Sequence, residues 1–345
     1  MADERRFLLI RLDGIGDALV CVPALEALRT AFPSATFGAL CSPRNAALFS
    51  RDRVARVHVL ERDDDAAERI RLAAELREQD YTDALVATEE PIGYTLGSKS
   101  GAHKRAGFWH RLEKPFKSVW QFWHLTYAVY RPAAWVEEPE HEVNAINRLA
   151  LRLGAYAPPS ADPAILRRWL DVETDASTRT MGALGLQVAR KWFERGWDAR
   201  ALARMAVAAL DASPFQRCVL LAGPDDAGHA RAVMEAVPAR CRDAGTIIAA
   251  ETATLRRWLG AIGSAGALLT PDTGAAHAAG MLGVPVVDVF GPVRFPQLSR
   301  QWRPWAAAAR CLVQPENATA TAAQEFGVSA GSALADLIVP RGVVS

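Results

Sequence analysis

The sequence lacks the features that mark secreted and membrane-spanning proteins. It has five cysteines in 345 residues, and no two of them have the spacing of metal ligands. An odd, scattered set of cysteines gives no disulfide framework and favours a reducing compartment. No apolar run approaches the roughly 20 residues that a membrane-spanning helix needs, and the charged segment Ala2–Arg6 does not resemble a signal peptide. We therefore expect a soluble, cytoplasmic protein.

The sequence also lacks an excess of charge of one sign. Forty Lys and Arg residues against 39 Asp and Glu residues give a formal net charge of +1. This balance argues against nucleic-acid binding driven by bulk electrostatics. The chain is instead rich in apolar residues, which make up 50% of it and supply a sizeable core. Its length suits two domains better than one.

Short apolar runs alternate with helical patterns from one end of the sequence to the other. The predicted strands are Phe7–Arg11, Thr36–Leu40, Val57–Val59, Ala84–Ala87, Thr180–Leu184, Arg217–Leu221, Thr246–Ile248, Ala267–Thr270 and Val284–Val289. Such alternation predicts an α/β fold with doubly wound parallel sheets, covered by helices on both faces. The Pro-rich stretch Leu153–Ala164 predicts a linker. We therefore expect one domain at 1–160 and a second at 161–345.

The stretch RLDGIGDALVCVPAL, Arg11–Leu25, follows an apolar run and begins like a nucleotide-binding turn. Gly14 and Gly16 fit a dinucleotide fingerprint, but Leu19 stands where the third glycine belongs. A nicotinamide-dependent dehydrogenase is therefore a poor fit. Asp17 places a carboxylate where a phosphate-binding turn has no use for negative charge. One interpretation is that Asp17 only caps the following helix.

A second informative stretch is LLTPDTGAAHAAGMLGVPVVDVFGP, Leu268–Pro292. A predicted strand ends in the turn Pro271–Gly274, and the N–H groups at the start of the next helix form an anion site. Thr273 and His277 are four residues apart, so we expect both on the helical face that meets the ligand. The alternative for His277 is an ordinary packing or capping residue.

The third stretch is ARKWFERGW, Ala189–Trp197, in which Arg190 and Lys191 lead into a helix soon after a predicted strand. A guanidinium and an ammonium group at this position can neutralise a diphosphate. Two basic residues on a loop are also common on any solvated surface, so this stretch alone does not decide between the two interpretations.

Together these three stretches resemble glycosyltransferase family 9, the bacterial heptosyltransferase family that extends the inner core of lipopolysaccharide. KRAGF at Lys104–Phe108, HEVNAINRLALRLG at His141–Gly154 and the late QWRPW are similar to further family landmarks. The resemblance implies a GT-B arrangement of two Rossmann-like domains facing across a cleft. It implies that the first domain binds the acceptor and the second the nucleotide-sugar. It also implies inverting, metal-independent transfer from a donor such as ADP-heptose, with no separate cofactor.

The resemblance also implies roles for individual residues. Asp17 matches the family's general base, which accepts a proton from the acceptor hydroxyl, while Asp13 would shape the turn. The matching donor-binding positions are Asp272, Thr273, Gly274, His277, Arg190 with Lys191 beside it, and Asp226 near the ribose. Positive charge and a helix N-terminus would stabilise the leaving diphosphate without a metal ion.

The sequence departs from the family pattern in one place. Residues Gly182–Gln187, taken as the loop before the basic position, contain no Ser or Thr, which leaves part of the phosphate contact and the donor identity open. A transferase acting on a protein or a small molecule is one alternative. A non-catalytic nucleotide-sugar-binding protein is another, although Asp17 and His277 argue against it.

Residues Leu96–Trp135 combine basic and aromatic side chains. The basic residues are Lys99, Lys104, Arg105, Arg111, Lys114, Lys117 and Arg131, against the single acid Glu113. The interleaved aromatic residues are Trp109, Phe116, Trp120, Phe122, Trp123 and Trp135. One interpretation is a solvated loop and an ordinary aromatic helix. The other is an acceptor-binding surface, with Lys104, Arg105, Lys114 and Lys117, that meets a phosphorylated glycolipid at the inner membrane face.

Overall fold

The structure of the protein is a computed structural model that describes residues 4–62, 65–110, 113–132, 138–173, 182–250 and 252–338. The chain forms two compact units. The first consists of Met1–Ala161 and Ile165–Asp171, and the second of Asp162–Ala164 and Val172–Ser345. Of the helices in the described ranges, none is long and apolar enough to cross a membrane.

The first unit is a six-stranded parallel sheet with helices between its strands. Its strands are β1 Arg6–Arg11, β2 Thr36–Cys41, β3 Arg56–Val59, β4 Asp83–Val86, β5 Lys104–Trp109 and β6 Tyr127–Tyr130. Its helices are α1 Ile15–Leu19, α2 Val22–Ala31, α3 Ala66–Arg77, α4 Pro91–Lys99, α5 Pro115–His124 and α6 Glu142–Arg152. The strand order is β3-β2-β1-β4-β5-β6.

The second unit holds another six-stranded parallel sheet, preceded by the short helix α7 Pro163–Leu166 at the boundary. Its strands are β7 Leu184–Gln187, β8 Cys218–Leu221, β9 Ile247–Ala249, β10 Ala267–Pro271, β11 Val286–Phe290 and β12 Ala309–Val313. Its helices are α8 Arg190–Glu194, α9 Ala199–Asp211, α10 Ala227–Ala236, α11 Ala239–Asp243, α12 Leu255–Ser264, α13 Gly274–Leu282, α14 Phe295–Trp302 and α15 Ala320–Ile338. The strand order is β12-β11-β10-β7-β8-β9.

Both sheets have the same topology. Numbered from its own first strand, each sheet has the order 3-2-1-4-5-6, which is the doubly wound order. The strand order reverses beside β1 in the first unit and beside β7 in the second, and ligands of such folds bind at the carboxyl ends of the strands at this switch point. The predicted α/β fold with parallel sheets is confirmed.

The core strands are buried because neighbouring strands and helices cover them on all sides. Phe7–Ile10 of β1 are each at most 1% exposed, as expected for a parallel strand covered on both faces. In the first unit α3 packs on α4 and α4 on α5, while α2 packs on α6. The right-handed crossovers place these two layers on opposite faces of the sheet.

The strand predictions fail where the apolar signal is weak. The predicted strand Thr180–Leu184 is wrong, because β7 begins at Leu184; residues 180 and 181 lie outside the described residues. Three strands were not predicted, β5, β6 and β12. β5 begins with two basic residues, and β12 is an edge strand that begins with Ala-Arg and is only partly buried, so neither shows a long apolar run. β6 is a four-residue edge strand, Tyr127–Tyr130, whose short apolar run was overlooked.

Candidate active site

The turn after β1 holds Asp17 in a fixed position. Asp17 lies in the first turn of α1, where its Oδ2 accepts a hydrogen bond from the Gly14 N–H at 3.2 Å. Its Oδ1 accepts another from the Arg11 guanidinium at 2.6 Å. Asp17 therefore does cap the helix, as one interpretation of the sequence held. Its side chain nevertheless remains 32% exposed at the carboxyl end of the sheet, so capping leaves the carboxylate accessible to a substrate.

Arg11 supports this carboxylate from the interior, a contact that the sequence alone did not reveal. Arg11 is the last residue of β1 and is 5% exposed. Besides Asp17, its guanidinium contacts Asp13 at 3.0 Å and donates to the Ala87 carbonyl oxygen at the end of β4. A buried guanidinium between two carboxylates is a strong, directional clamp. A signal was present, since Arg11 ends the apolar run Phe7–Ile10 and is followed by Asp13 and Asp17 within six residues.

A second charged group lies along the same edge of the sheet. Glu89 follows β4, and its Oε2 lies 3.0 Å from Lys117 Nζ, 3.7 Å from Lys114 Nζ and 3.5 Å from His110 Nε2. The His110 contact, followed by Lys117, holds the pKa of the Glu89 carboxyl well below its usual range, although burial opposes this. Two lysines for one carboxylate leave this group net positive beside the Asp17 turn.

The remaining basic residues of the stretch occupy different places in the unit. Lys104 is the first residue of β5, so about 17 Å of strand separates it from the carboxyl end. Arg105 donates to the main-chain oxygens of His124 and Ala102 and thereby fixes the neighbouring loop. Arg131 forms a two-point ion pair with buried Glu142. The expectation of one continuous basic surface is therefore corrected. Lys104 and Arg105 lie at the start of β5, on the opposite edge, whereas Lys114, Lys117 and the Glu142-paired Arg131 lie on the side of Asp17. Arg111 and Trp135, which the same expectation included, are outside the described residues.

In the second unit the switch point carries a lysine. Lys191 lies at the start of α8, after β7, and Asp272 lies after β10, so the two come from the neighbouring strands where the order reverses. Lys191 Nζ donates to Asp272 Oδ2 at 2.8 Å and also to the Asp272 carbonyl oxygen. The pair fixes a positive group immediately beside the N-terminus of α13, where anions are favoured.

The start of α13 is capped by Thr273, a role that the sequence analysis did not assign to it. Thr273 is its N-cap, and its hydroxyl oxygen accepts from the Ala275 N–H at 3.4 Å. His277, one turn further on, is 3% exposed and its ring packs against Trp302 at 5.9 Å between centroids. The structure therefore brings Thr273 and Gly274 to the helix start with Lys191 and Asp272, whereas His277 is packed within the unit.

Arg190 and Asp226 also meet in this unit. The Arg190 N–H donates to Asp226 Oδ1 at 3.0 Å, so the carboxylate caps α8. The same oxygen lies 3.2 Å from His229 Nδ1, and the His229 ring stacks on Phe193 at 4.2 Å. The Arg190 side chain is 75% exposed and contacts Glu194 at 2.9 Å. The Arg190 guanidinium is thus accessible to solvent. Among the described residues, no other predicted donor-binding side chain contacts it.

Comparison with known protein families identifies the family of this chain. Residues 69–326 match glycosyltransferase family 9 (heptosyltransferase). This chain belongs to glycosyltransferase family 9. Among curated proteins there was no significant match.

Solved structures of the family share the fold. A family 9 glycosyltransferase from Veillonella parvula is 19% identical, with a TM-score of 0.66 over 99% of this chain and 92% of the other. The E. coli ADP-heptose heptosyltransferase II is 17% identical, with a TM-score of 0.71 over 95% and 98%. E. coli heptosyltransferase WaaC, solved with ADP, is 19% identical, with a TM-score of 0.71 over 93% and 98%. The GT-B fold class is confirmed, and the protein is a glycosyltransferase.

The lack of Ser and Thr at residues 182–187, where this chain departs from the family 9 pattern, has a structural explanation. Residues 182–187 are not a loop, as the sequence analysis took them to be, because Leu184–Gln187 form β7 and all four are buried. Gln187 is held on both sides: its carbonyl accepts from Trp192 Nε1 at 2.9 Å, and its Oε1 accepts from Trp258 Nε1 at 3.0 Å. The absence of Ser and Thr here reflects a buried strand, and only Val188 and Ala189 separate it from Arg190.

Asp288 is a buried carboxyl group near Asp272 and Lys191 in this family 9 enzyme, and the sequence did not draw attention to it. It lies in the middle of β11, opposite Thr270 and Cys311, and is fully buried. Neither carboxyl oxygen has a hydrogen-bond partner of normal geometry among the described residues. Burial raises the pKa of this carboxyl well above its usual range, repulsion from Asp272 raises it further, and Lys191 offsets this only in part. A carboxylate in the apolar run VVDVF was the available signal.

Proposed function

We propose that this glycosyltransferase moves heptose from ADP-heptose to a saccharide or glycolipid acceptor of the lipopolysaccharide core, with inversion and without a metal ion. The observation that carries the proposal is the division of charge between the two units. Asp17 presents a carboxylate at the switch point of the first unit, and Lys191 presents an ammonium group at that of the second. Similarity to enzymes described as ADP-heptose heptosyltransferases supports the choice of donor.

In this mechanism Asp17 acts as the general base. It accepts the proton of the acceptor hydroxyl while that oxygen bonds to the anomeric carbon of the donor. The bond from the same carbon to the diphosphate oxygen breaks on the opposite face, which inverts the anomeric configuration. Arg11 and the Gly14 N–H orient the two carboxylate oxygens for this step.

The second unit would stabilise the departing ADP. Lys191, the first N–H groups of α13 and Thr273 supply positive charge and hydrogen-bond donors at one point. Asp272 keeps Lys191 in place, Arg190 adds a cation from the surface, and Asp226 contributes near the ribose. His277 acts behind α13, where it supports the helix against Trp302.

Lys114 and Lys117 are proposed to attract an anionic acceptor toward Asp17, because their group with Glu89 lies on the same edge. Lys104 and Arg105 are not part of this role. A cytoplasmic location is proposed on the strength of the five free cysteines, with peripheral contact at the inner membrane face where the acceptor is a glycolipid.

A panel of nucleotide-sugars tests the donor assignment. A donor present at about 100 times its Kd stabilises the folded state by about 2.7 kcal/mol and raises the Tm. We expect ADP-heptose to give the largest shift, and transfer to a delipidated core saccharide to continue in excess chelator. A larger shift with another nucleotide-sugar would reassign the donor. Activity that disappears with chelator and returns with Mg²⁺ would overturn the metal-independent mechanism, and ADP-heptose binding without any transfer would favour a non-catalytic protein.

A further inference from the structure

Helix α5, Pro115–His124, has its polar and apolar faces reversed. A surface helix normally buries its apolar stripe and exposes polar residues. Here Ser118 and Gln121 are buried, whereas Phe116 is 92% exposed and Trp123 is 79% exposed. Trp120 packs against the core and Phe122 contacts Trp109 at 6.1 Å between ring centroids, but the high exposure of Phe116 and Trp123 points to something outside the unit.

The inward face of α5 is held by polar contacts. Gln121 Nε2 donates to the Tyr94 hydroxyl at 3.0 Å, and that hydroxyl donates in turn to the Phe108 carbonyl at 3.1 Å. The Ser118 hydroxyl oxygen accepts from the His110 N–H at 3.2 Å. The helix is thus fixed in orientation, and the exposure of its outer face is a built feature of the unit.

The outer face forms one continuous apolar patch. Phe116, Val119, Phe122 and Trp123 stand at positions i, i+3, i+6 and i+7 of α5, so successive residues are three or four apart on one side of the helix, and all four are at least 60% exposed. Together they expose on the order of 500 Å² of apolar surface, which is at the upper end for a patch on a soluble monomer and marks an interaction site. A stable dimer needs roughly 800 Å² from each partner, more than this patch offers.

The charge around the patch fits an anionic bilayer. Residues 114–124 contain no Asp or Glu, and the two lysines at the start of α5 share a contact with Glu89. The neighbouring helices α4 and α3 lie in the same layer, where Ile70 is 68% exposed. The groove of about 490 Å³ between them is lined by apolar side chains together with Thr95, the basic Arg69 and Lys99, and the acidic Glu90. Aromatic residues with nearby cations are the composition of helices that lie in a membrane interface.

We infer that α5 is a membrane-docking helix, which inserts Phe116, Val119, Phe122 and Trp123 into the interface of an anionic bilayer. The N-terminus of α5 follows the carboxyl end of β5, on the sheet edge that also carries Asp17. Docking would therefore bring this edge toward the membrane surface, where the sugar of a glycolipid is displayed. The inference extends the proposed function by naming the contact surface, and the docking itself requires neither donor nor acceptor.

Vesicle binding without any substrate tests the inference. The probes are vesicles of phosphatidylcholine alone and vesicles of phosphatidylcholine with phosphatidylglycerol, and bound protein is measured by co-sedimentation. We expect the wild type to bind the anionic vesicles more tightly, and added salt to weaken this preference because the charges are screened within roughly 8–10 Å. The double variant Phe116→Ser/Trp123→Ser should bind about tenfold more weakly.

Tyr156→Ser is the matched control, because Tyr156 is 74% exposed in the same unit but lies outside α5. It should bind like the wild type, and all variants should keep the wild-type Tm, since the changed side chains are exposed. Equal binding of the wild type and the double variant, or binding by neither, would overturn the inference. So would a wild-type dimer that the double variant abolishes, since the occupant would then be a second copy of the chain.

Transfer to a delipidated acceptor, measured on the same variants, separates this inference from the proposed function. We expect the double variant to keep this activity. If transfer is normal but vesicle binding is absent, only the docking inference fails. If vesicle binding is as expected but the wild type transfers nothing, the proposed function fails and the docking inference stands.

Discussion

The two units share a strand order but place opposite charges at equivalent points. In each unit the first strand leads through a short turn into a five-residue helix, α1 or α8. The first unit presents Asp17 there and the second presents Lys191. In both, a basic group from this region donates to a main-chain oxygen just after the unit's fourth strand, Arg11 to Ala87 and Lys191 to Asp272.

The difference lies in which partner remains accessible. In the first unit the cation is buried and holds a carboxylate that is one-third exposed. In the second unit the lysine is 36% exposed and its carboxylate partner only 18%. One fold thus presents an accessible carboxylate in one copy and an accessible ammonium group in the other, as our proposed division of roles requires, and a few residues at the switch point decide which charge is presented.

Removing Arg11 should have the largest effect among the variants that test this comparison. Arg11→Met takes away the clamp on Asp17, and a misplacement of about 1 Å can lower a rate by about 10²-fold. We expect turnover to fall by about that factor, with the affinity for ADP unchanged. Arg11→Lys keeps the charge but not the two-sided geometry, so it should recover only part of the rate. Full turnover in Arg11→Met would mean that the buried arginine serves stability alone.

Lys191→Gln tests whether the ammonium group at the switch point of the second unit binds the diphosphate of the donor. A charge-assisted hydrogen bond contributes about 1.5–3 kcal/mol, so the affinity for ADP, measured by calorimetry, should fall by about 10- to 100-fold. Arg204→Gln is a suitable control, because that side chain lies on exposed α9 surface of the same unit. Unchanged ADP affinity in Lys191→Gln would remove this residue from the donor site.

The lysines of the first unit should show a smaller, position-dependent effect. Lys117→Gln should raise the KM for an anionic acceptor by a few-fold, about the contribution of one cation near an anionic group. Lys104→Gln has the same change of charge at the opposite edge of the sheet, so its acceptor KM should stay at the wild-type value. If Lys117→Gln and Lys104→Gln change the acceptor KM equally, the edge of the sheet on which the lysine lies does not matter, and the acceptor is attracted by the overall charge of the unit.

Asp288→Asn should have the smallest effect, on stability. Burial raises the folded-state pKa of this carboxyl, so its contribution to stability is greatest below the unfolded pKa, near 3.9, and is lost as the pH rises through the folded value. The Asn variant should therefore have a Tm about 2–4 °C above that of the wild type at alkaline pH, and the advantage should vanish in acid. Asp243→Asn, on the exposed surface of α11, is the control. A lower Tm for Asp288→Asn at alkaline pH would mean that Lys191 and Arg195 stabilise the charged form.

Features that follow from local sequence patterns could be predicted, whereas contacts between residues far apart in sequence could not. Hydrophobic periodicity is local, so the alternation of strands and helices and the turn with Asp17 could be predicted. The contact between Arg11 and Ala87 joins residues far apart in sequence and depends on which strands are neighbours, so no local pattern contains it.

The basic stretch illustrates the same limit. Lys104 and Lys117 look equivalent in the sequence, but β5 separates them by its full length. Because β5 begins with two basic residues, its strand character was not recognised, and one surface was predicted where the structure has two. The prediction of a loop at Gly182–Gln187 was wrong for the opposite reason. Its glycines indicated a loop, whereas Leu184–Gln187 form a buried strand.

The most direct test of the central claim is Asp17→Asn, with turnover and ADP affinity measured on the same preparation. Asn keeps the shape of the side chain but cannot accept the proton, so we expect turnover to fall by about 10²–10⁴-fold. The affinity for ADP and the Tm should match those of the wild type, because we propose that the donor binds to the other unit. Near-normal turnover would show that Asp17 is only a helix cap, and a loss of ADP affinity would contradict the division of roles between the two units.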